Sequence, residues 1–215
     1  MSILTSELTE KIIASVLGAG KMLTAGSAVH EIHAKNPTDF VTDVDLAVQE
    51  RLRTELSELA PEVQFMGEEQ DNSGIDPSLP FWILDPVDGT TNLIRGLRHS
   101  AVSLALAEGG ELSFGAVYNP FAGELFTARR GGGAFLNGSP IHVSRARSLG
   151  ESLVCVGTAP SRREWSDRVF DLIRALFDRS IDIRRSGCAS LDLCDVALGR
   201  MDAYVEGFLQ PWDYA

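Results

Sequence analysis

One apolar segment that runs directly into acidic residues limits the fold of this 215-residue chain more than any other. Residues 81–84 read Phe-Trp-Ile-Leu and are followed by Asp85-Pro86-Val87-Asp88. A strand that is apolar at every position is typical of a sheet buried on both faces, and the end of such a strand is where an open sheet binds ligands. Because Pro86 fixes its own backbone angle, we expect a stiff turn that holds both carboxylates in place.

The residues after this turn are suited to an anion. Gly89 lets the backbone approach a ligand closely, and a helical turn over residues 90–93 would aim its free N–H groups at a phosphate. The structural alternative is an Asp-Pro turn capped by Asp88, because Asp is common in turns and caps. Taken alone, the segment favours that alternative.

Other carboxylates along the chain favour a ligand-binding site over this structural alternative. Glu68 follows a predicted strand at 63–66, Asp213 follows an apolar-aromatic pair, and Asp43 and Asp45 lie near the start of a predicted helix. Several carboxylates in one dry site repel each other unless a cation neutralises them. Mg²⁺ binds carboxylate and phosphate oxygens, and two such ions about 4 Å apart can activate water for phosphoryl transfer. The pattern therefore indicates metal-dependent phosphate chemistry.

The charge balance narrows the class of partner. The chain has 19 Lys and Arg against 30 Asp and Glu, a net charge of −11, which disfavours nucleic acid and anionic membranes. Its longest apolar stretch, residues 101–107, has seven residues, far below the roughly 20 of a membrane span. The first residues lack a secretory signal, and three cysteines without a C-x-x-C spacing suit a reduced compartment. We therefore expect a cytoplasmic protein.

The periodicity predicts a layered α/β fold of the mixed α+β kind. We expect two subdomains, a metal-binding one over 1–145 and a partial substrate-binding one over 146–215. A Thr42-x-x-Asp45 capping box should open the second helix, and 35–39 should form a loop. The predicted helices are 6–25, the one from Thr42, 165–177 and 191–198; the predicted strands are 63–66, 81–84, 101–107, 112–118, 125–129, 133–136, 153–156, 181–184 and 203–205. The abrupt end at Ala215, without a turn signal or polar tail, leads us to expect a chain truncated at its C-terminus.

Three segments resemble the signatures of the inositol monophosphatase family. They are Gly67-Glu68-Glu69, residues 82–92 and residues 210–215, and in order and spacing the resemblance covers nearly the whole chain. This family belongs to the lithium-sensitive, Mg²⁺-dependent phosphatases. The resemblance implies an α/β/α/β/α sandwich and, by family precedent, a homodimer.

The resemblance also implies residue roles. Glu68, Asp85 and the carbonyl of Val87 would hold one Mg²⁺. Asp85, Asp88 and Asp213 would hold a second, and Glu68 would help with a third through water. Thr90, backed by Asp45, would orient the attacking water. The residues implied for binding the substrate are Lys35, Asp88, the amides of Gly89 and Thr90, Gly187, Cys188, Ala189 and Glu206.

Several alternatives stay open at this point. Inositol monophosphate is the first substrate we expect; histidinol phosphate, fructose 1,6-bisphosphate and 3′-phosphoadenosine 5′-phosphate are the others. An aspartyl-phosphate mechanism at Asp85 is disfavoured, because such sites usually have Asp-x-Asp and here two residues separate the carboxylates. Cys188 stands where the family often has Thr, which keeps open a non-catalytic phospholigand-binding protein. Lys35 as a solvated loop residue and Cys188 as a small buried one remain the simpler readings.

Overall fold

A computed structural model describes residues 3–25 and 31–215 of the chain. The helices are α1 (Ser6–Thr24), α2 (Asp43–Leu59), α3 (Thr90–Ile94), α4 (Ser166–Phe177), α5 (Ala189–Leu198) and α6 (Pro211–Tyr214). The strands are β1 (Ile32–Asn36), β2 (Asp39–Thr42), β3 (Gln64–Gly67), β4 (Phe81–Asp88), β5 (Ala101–Glu108), β6 (Glu111–Asn119), β7 (Glu124–Arg129), β8 (Gly133–Leu136), β9 (Ser139–Pro140), β10 (Leu153–Val156), β11 (Asp182–Arg184) and β12 (Ala203–Val205). None of the helices within these ranges is long and apolar enough to span a bilayer.

The strands form two layered sheets and one separate hairpin. The large sheet has the order β3-β4-β5-β6-β7-β8-β9 and is antiparallel except between β3 and β4. The small sheet has the order β11-β10-β12 and is parallel throughout. The chain leaves the large sheet at Pro140 and enters the small one at Leu153. A division into domains at residue 145 stays a prediction.

Helices and sheets alternate in five layers. Helices α1 and α2 pack on the large sheet at β4, β5 and β6. Helix α5 contacts β5 and β6 of the large sheet and β12 of the small one, so it lies between the two sheets. Helix α4 contacts β11 of the small sheet. The expected mixed α/β sandwich is therefore confirmed, and its middle layer joins the two halves of the chain.

The first two helices form where local signals place them. Thr5 caps α1 by accepting a hydrogen bond from the amide of Leu8. In α2 the predicted capping box is present, since Thr42 and Asp45 each bond to the other's backbone N–H. Both helices bury one apolar stripe against the sheet. The fully buried side chains on these stripes are Ile12, Val16, Val48, Leu52 and Leu56.

Strand β4 is longer than the predicted 81–84 and runs to Asp88. Asp85 pairs with Ser103 and Asp88 pairs with Ala101 on β5, so the two residues between the carboxylates bulge out of the ladder. A bulge tolerates Pro86, whose nitrogen cannot donate a hydrogen bond. The expectation of a turn after Leu84 was therefore wrong, and both carboxylates are held by strand pairing.

Apart from shifts of one residue at several element ends, three other parts of the chain differ from the prediction. The loop expected at 35–39 is the tip of the β1–β2 hairpin, and Lys35 lies within β1. Helix α5 begins at Ala189 instead of 191, but it ends as predicted at Gly199, whose φ of 79° gives a left-handed cap. The short strand β9 had no signal in the sequence.

Two glycines of α1 provide a test of its packing. A Cβ on Gly20 would overlap the ring of Tyr118 on β6, whereas a Cβ on Gly18 would meet only the mobile end of Arg51. We expect Gly20→Ala to lower the free energy of unfolding by about 1–2 kcal/mol, because overpacking outweighs the gain in helix propensity. The matched control Gly18→Ala should be neutral or stabilising. Urea unfolding of both variants checks this, and equal stability of the two would contradict the packing of α1 on β6.

Candidate active site

A cavity of about 720 Å³ opens where β4 ends. Its walls come from both halves of the chain: β1, β4 and α3 on one side, α5, α6 and the segment after β12 on the other. The predicted site residues that line it are Lys35, Glu68, Asp85, Val87, Asp88, Gly89, Thr90, Gly187, Ala189, Glu206 and Asp213. Asp45 and Cys188, also predicted, lie behind the wall and bond to lining residues.

Asp85 is at the centre of the acidic side of the cavity and is 2% exposed. The amide of Val87 donates to its Oδ1 at 3.0 Å. Burial raises the pKa of Asp85 well above its usual range, and the charges of Glu68, Asp88 and Asp213 raise it further. Ionised together, these carboxylates need a positive charge beside them.

Asp213 reaches the cavity from the first turn of α6, which packs on β4. The amide of Gln210 donates to its Oδ2 at 2.6 Å, so the carboxylate caps its own helix. Burial raises the pKa of Asp213 to about 7; the Gln210 bond opposes this rise, and the charges of Asp88 and Glu68 add to it.

Lys35 supplies the positive charge that contacts this acidic group. Its Nζ lies 3.0 Å from Oε1 of Glu68 and also bonds to Glu69. Burial lowers the pKa of Lys35, but the two glutamates outweigh burial and hold that pKa above its ordinary value. Burial also raises the pKa of Glu69 to about 7. Sequence reasoning assigned no role to Glu69, because its contact with Lys35 depends on the β1–β2 hairpin.

The donor set suits a hard divalent cation. It consists only of oxygen atoms, from Glu68, Asp85, Asp88 and Asp213 together with the carbonyl of Val87. As they stand, no three acidic, histidine or cysteine side chains among the described residues are gathered in a group that could hold a metal ion. Instead Lys35, Gln210 and Ser190 donate to three of the four carboxylates. The composition of the site fits Mg²⁺, and binding would require some of these side chains to reorient toward the ion.

Thr90 connects the cavity to a buried carboxylate. Its Oγ1 lies 3.0 Å from Oδ1 of Asp45 and 3.0 Å from the carbonyl of Val87. The other oxygen of Asp45 is held by the amide and hydroxyl of Thr42 in the α2 capping box. Burial raises the pKa of Asp45, while its bonds from Thr42 and Thr90 oppose that rise. Thr90 and Asp45 are therefore held in place by Thr42, which bonds to Asp45 behind the cavity wall.

Gly89 is required by both its conformation and its surroundings. Its φ is +83°, a left-handed value that L residues rarely adopt. A Cβ there would lie 3.0 Å from the carbonyl of His99 and 3.3 Å from that of Gly187. Gly89 precedes α3, whose first N–H groups have no acceptor within the helix and so can bind an anion.

Asp88 is held from the opposite half of the chain. The amide and the hydroxyl of Ser190 each donate to its Oδ2 at 2.6 Å, and the thiol of Cys188 lies 3.2 Å from the same oxygen. Burial raises the pKa of Cys188, so the thiol remains neutral. Sequence reasoning missed Ser190, although a serine at the start of a helix was a usable signal.

The wall that the second half of the chain provides contains a further carboxylate, Glu206, and two arginines. Glu206 accepts from the amide of Ala159 at 3.1 Å and from the hydroxyl of Tyr204. Ala159 has a φ of 42° and Phe208 a φ of 68°, both unusual for residues with side chains. Arg163 and Arg185 also line this wall. Sequence reasoning missed Arg163 and Phe208, because neither lies in a recognisable motif.

Comparison with known proteins decides the family. The family model described as "Inositol monophosphatase family" matches residues 4–215. An inositol-1-monophosphatase from Rhizobium meliloti (strain 1021) is 37% identical over 213 residues, which are 98% of this chain and 80% of the relative.

The chain belongs to the inositol monophosphatase family.

Solved structures agree with this phosphatase assignment. The extragenic suppressor protein suhB from Bartonella henselae superposes with a TM-score of 0.88 at 33% identity, over 96% of this chain and 80% of that one. A lithium-soaked inhibitory complex of staphylococcal inositol monophosphatase-1 gives a TM-score of 0.85 at 28% identity, over 99% of this chain and 79% of that one. Other relatives, from Xylella fastidiosa and Escherichia coli, are named Nus factor SuhB, and the chain covers 65% and 69% of their length.

The raised pKa values predict how the stability of this phosphatase depends on pH. In the folded protein Asp213 and Glu69 have pKa values of about 7, against about 4 in an unfolded chain. The folded form then binds protons more tightly, so without metal the free energy of unfolding should fall as pH rises from about 4 to 7. Mg²⁺ should therefore raise the unfolding temperature more at pH 8 than at pH 5.

Differential scanning fluorimetry across this pH range, with EDTA or Mg²⁺, provides the measurement. Asp213→Asn should flatten the dependence seen in EDTA, while Asp167→Asn, at an exposed position on α4, should leave it unchanged. A metal-free unfolding temperature that rises between pH 5 and pH 7 would contradict the electrostatic account.

Proposed function

We propose that this phosphatase is a Mg²⁺-dependent phosphomonoesterase that hydrolyses a sugar or polyol phosphate, with inositol monophosphate as its first substrate. Water attacks phosphorus directly, and no covalent enzyme intermediate forms. The observation that supports this most strongly is the convergence of Glu68, Asp85, Asp88 and Asp213 on one cavity. These four residues come from three separate places in the sequence, and a purely structural role would not require them to meet.

In this proposal the carboxylates would hold two or three Mg²⁺ ions. Glu68, Asp85 and the carbonyl of Val87 would bind one, and Asp85, Asp88 and Asp213 the other, with Glu68 contributing to a third through water. When bound, Mg²⁺ supplies Lewis acidity that offsets phosphate charge and lowers the pKa of water. Asp85 is shared because it lies at the centre of the group and is the most buried of the four.

Thr90 and Asp45 orient the attacking water. An ionised Asp45 can only accept hydrogen bonds, so it directs the hydroxyl proton of Thr90 toward its own Oδ1 at 3.0 Å. The lone pairs of Thr90 Oγ1 then remain available to accept a hydrogen bond from a water molecule in the cavity, which orients that water. Thr42 holds the other oxygen of Asp45, which prevents the carboxylate from rotating away.

The substrate extends from the phosphate site toward the second half of the chain. The amides of Gly89 and Thr90 bind the phosphate, and Asp88, Gly187, Ala189 and Glu206 contact the hydroxyl groups of the alcohol. Cys188 acts on the substrate only through Asp88, since its thiol is 1% exposed and bonds to that carboxylate. Lys35 balances Glu68 and Glu69 at the entrance.

The remaining parts of the proposal rest on the family and on composition. We propose a cytoplasmic homodimer that lithium inhibits, and a Mg²⁺-loaded site that binds a small phosphate monoester instead of nucleic acid or membrane. Histidinol phosphate, fructose 1,6-bisphosphate and 3′-phosphoadenosine 5′-phosphate are the alternative substrates. A non-catalytic phospholigand-binding role is the less favoured alternative. The name Nus factor belongs to the relatives, and the net charge of −11 gives this chain no attraction for nucleic acid.

Asp88→Asn tests the phosphatase proposal directly. Replacing an anionic oxygen donor by an amide should reduce Mg²⁺-dependent phosphate release from inositol 1-phosphate by about 100-fold or more. Asp167→Asn serves as the exposed control and should keep wild-type activity. The four substrates are assayed with Mg²⁺ and with EDTA. Undiminished, Mg²⁺-dependent release by pure Asp88→Asn enzyme would refute the assignment, and absence of release from all four substrates would favour the non-catalytic alternative.

Thr90 provides a second test with a conservative pair. Thr90→Ser keeps the hydroxyl and should retain most of the kcat, whereas Thr90→Val keeps the shape and should lose about 100-fold in kcat. The KM for substrate should change much less in both variants, because the phosphate is bound by backbone amides. Equal kcat values for the two variants would remove Thr90 from the proposed role.

A further inference from the structure

Among the described residues, every hydrogen bond to the carboxylate of Asp88 is accepted by one of its two oxygens. Oδ2 accepts from the amide and the hydroxyl of Ser190, each at 2.6 Å, and the thiol of Cys188 lies 3.2 Å away. The other oxygen, Oδ1, accepts no hydrogen bond from the described residues. Asp88 lines the cavity and is 7% exposed. The carboxylate is therefore fixed on one side, and its second oxygen remains available.

The group that fixes it belongs to the middle layer of the fold. Ser190 is the second residue of α5, is 3% exposed, and lies 102 positions from Asp88 in the sequence. Helix α5 packs on β5, β6 and α6, so its first turn is held firmly beside the end of β4. The backbone at Ser190 is therefore held beside Asp88 by three packed elements.

The two neighbouring donors are not equivalent. A hydroxyl donates a strong hydrogen bond to a carboxylate, whereas a thiol is a weak donor. Cys188 Sγ lies 3.8 Å from Ser190 Oγ, and both face the same oxygen of Asp88. In this chain the strong side-chain donor is therefore Ser190, and a hydroxyl at position 188 would lie close enough to replace it.

We propose that Ser190 is a positioning residue for Asp88. Its hydroxyl holds Oδ2 and so directs Oδ1 toward the cation. This inference rests on the proposed function, since it requires Asp88 to be a metal ligand. Hydrogen bonds that orient a ligand from behind commonly change metal affinity by about 10–100-fold when they are lost. Ser190 thereby makes cation binding by Asp88, at the end of β4, dependent on helix α5.

The test is a calorimetric titration of metal-free protein with Mg²⁺ alone, accompanied by urea unfolding of each variant. Ser190→Ala removes the hydroxyl and keeps the amide, and it should weaken Mg²⁺ binding about tenfold. The double variant Ser190→Ala with Cys188→Ser should bind within about threefold of wild type, as should Ser190→Thr, because each restores a hydroxyl. Ser152→Ala is the matched control, since Ser152 is also a buried serine whose hydroxyl is bonded, but it contacts Ser148 away from the cavity.

The outcomes separate this inference from the proposed function. Tenfold weakening in Ser190→Ala that the added hydroxyl restores supports the inference. Three results would overturn the inference. The first is a wild-type Mg²⁺ affinity in Ser190→Ala, and the second is a weakened affinity that neither hydroxyl-bearing variant restores. The third is an equal loss of Mg²⁺ affinity in Ser152→Ala. In those cases, loss of Mg²⁺ binding in Asp88→Asn leaves the proposed function standing, and wild-type binding in Asp88→Asn removes both. If Ser190→Ala does not fold, Ser190→Cys, which substitutes a weak donor of similar shape, replaces it in the same comparison.

Discussion

The repulsion among buried carboxylates around Asp85 is the constraint on which the rest of the structure depends. Burial and the charges of four neighbouring acids raise the pKa of Asp85, and Lys35 bonds to the two glutamates at one side of the group. An arrangement of this kind costs stability unless a cation compensates it. The fold tolerates that cost because strand pairing, the α6 cap and the α5 N-terminus hold the acids at fixed positions.

The layered architecture explains how such distant residues meet. Strand β4 supplies Asp85 and Asp88, and the bulge between them brings both toward the cavity. The second half contributes through α5, which lies between the sheets, and through α6, which carries Asp213. Asn92 joins the halves directly, since its side-chain amide donates to the carbonyls of His99, Ser186 and Gly187. The cavity is thus a product of both halves together.

Much of the fold could be predicted from local signals. The capping box of α2, the glycine that ends α5 and the apolar strand before Asp85 all depend on short-range physics, and each was found in the sequence. The bulge in β4 was missed because it depends on pairing with β5, in which Asp85 and Asp88 pair with Ser103 and Ala101 further along the chain. The roles of Ser190 and Glu69 were missed for the same reason. A serine at the start of a helix is a local signal, but the bond of Ser190 to Asp88 spans 102 positions, and the bond of Glu69 to Lys35 spans 34.

The most direct test of the account is to locate a metal in crystals of this protein. Mn²⁺ is a suitable probe because it binds the same oxygen ligands as Mg²⁺ and gives an anomalous signal. The account predicts anomalous peaks within about 2.5 Å of the carboxylate oxygens of Asp85, with at least one peak shared with Glu68 or Asp213. The account would be contradicted if crystals saturated with Mn²⁺ showed no anomalous peak beside these oxygens, or showed peaks only at surface carboxylates.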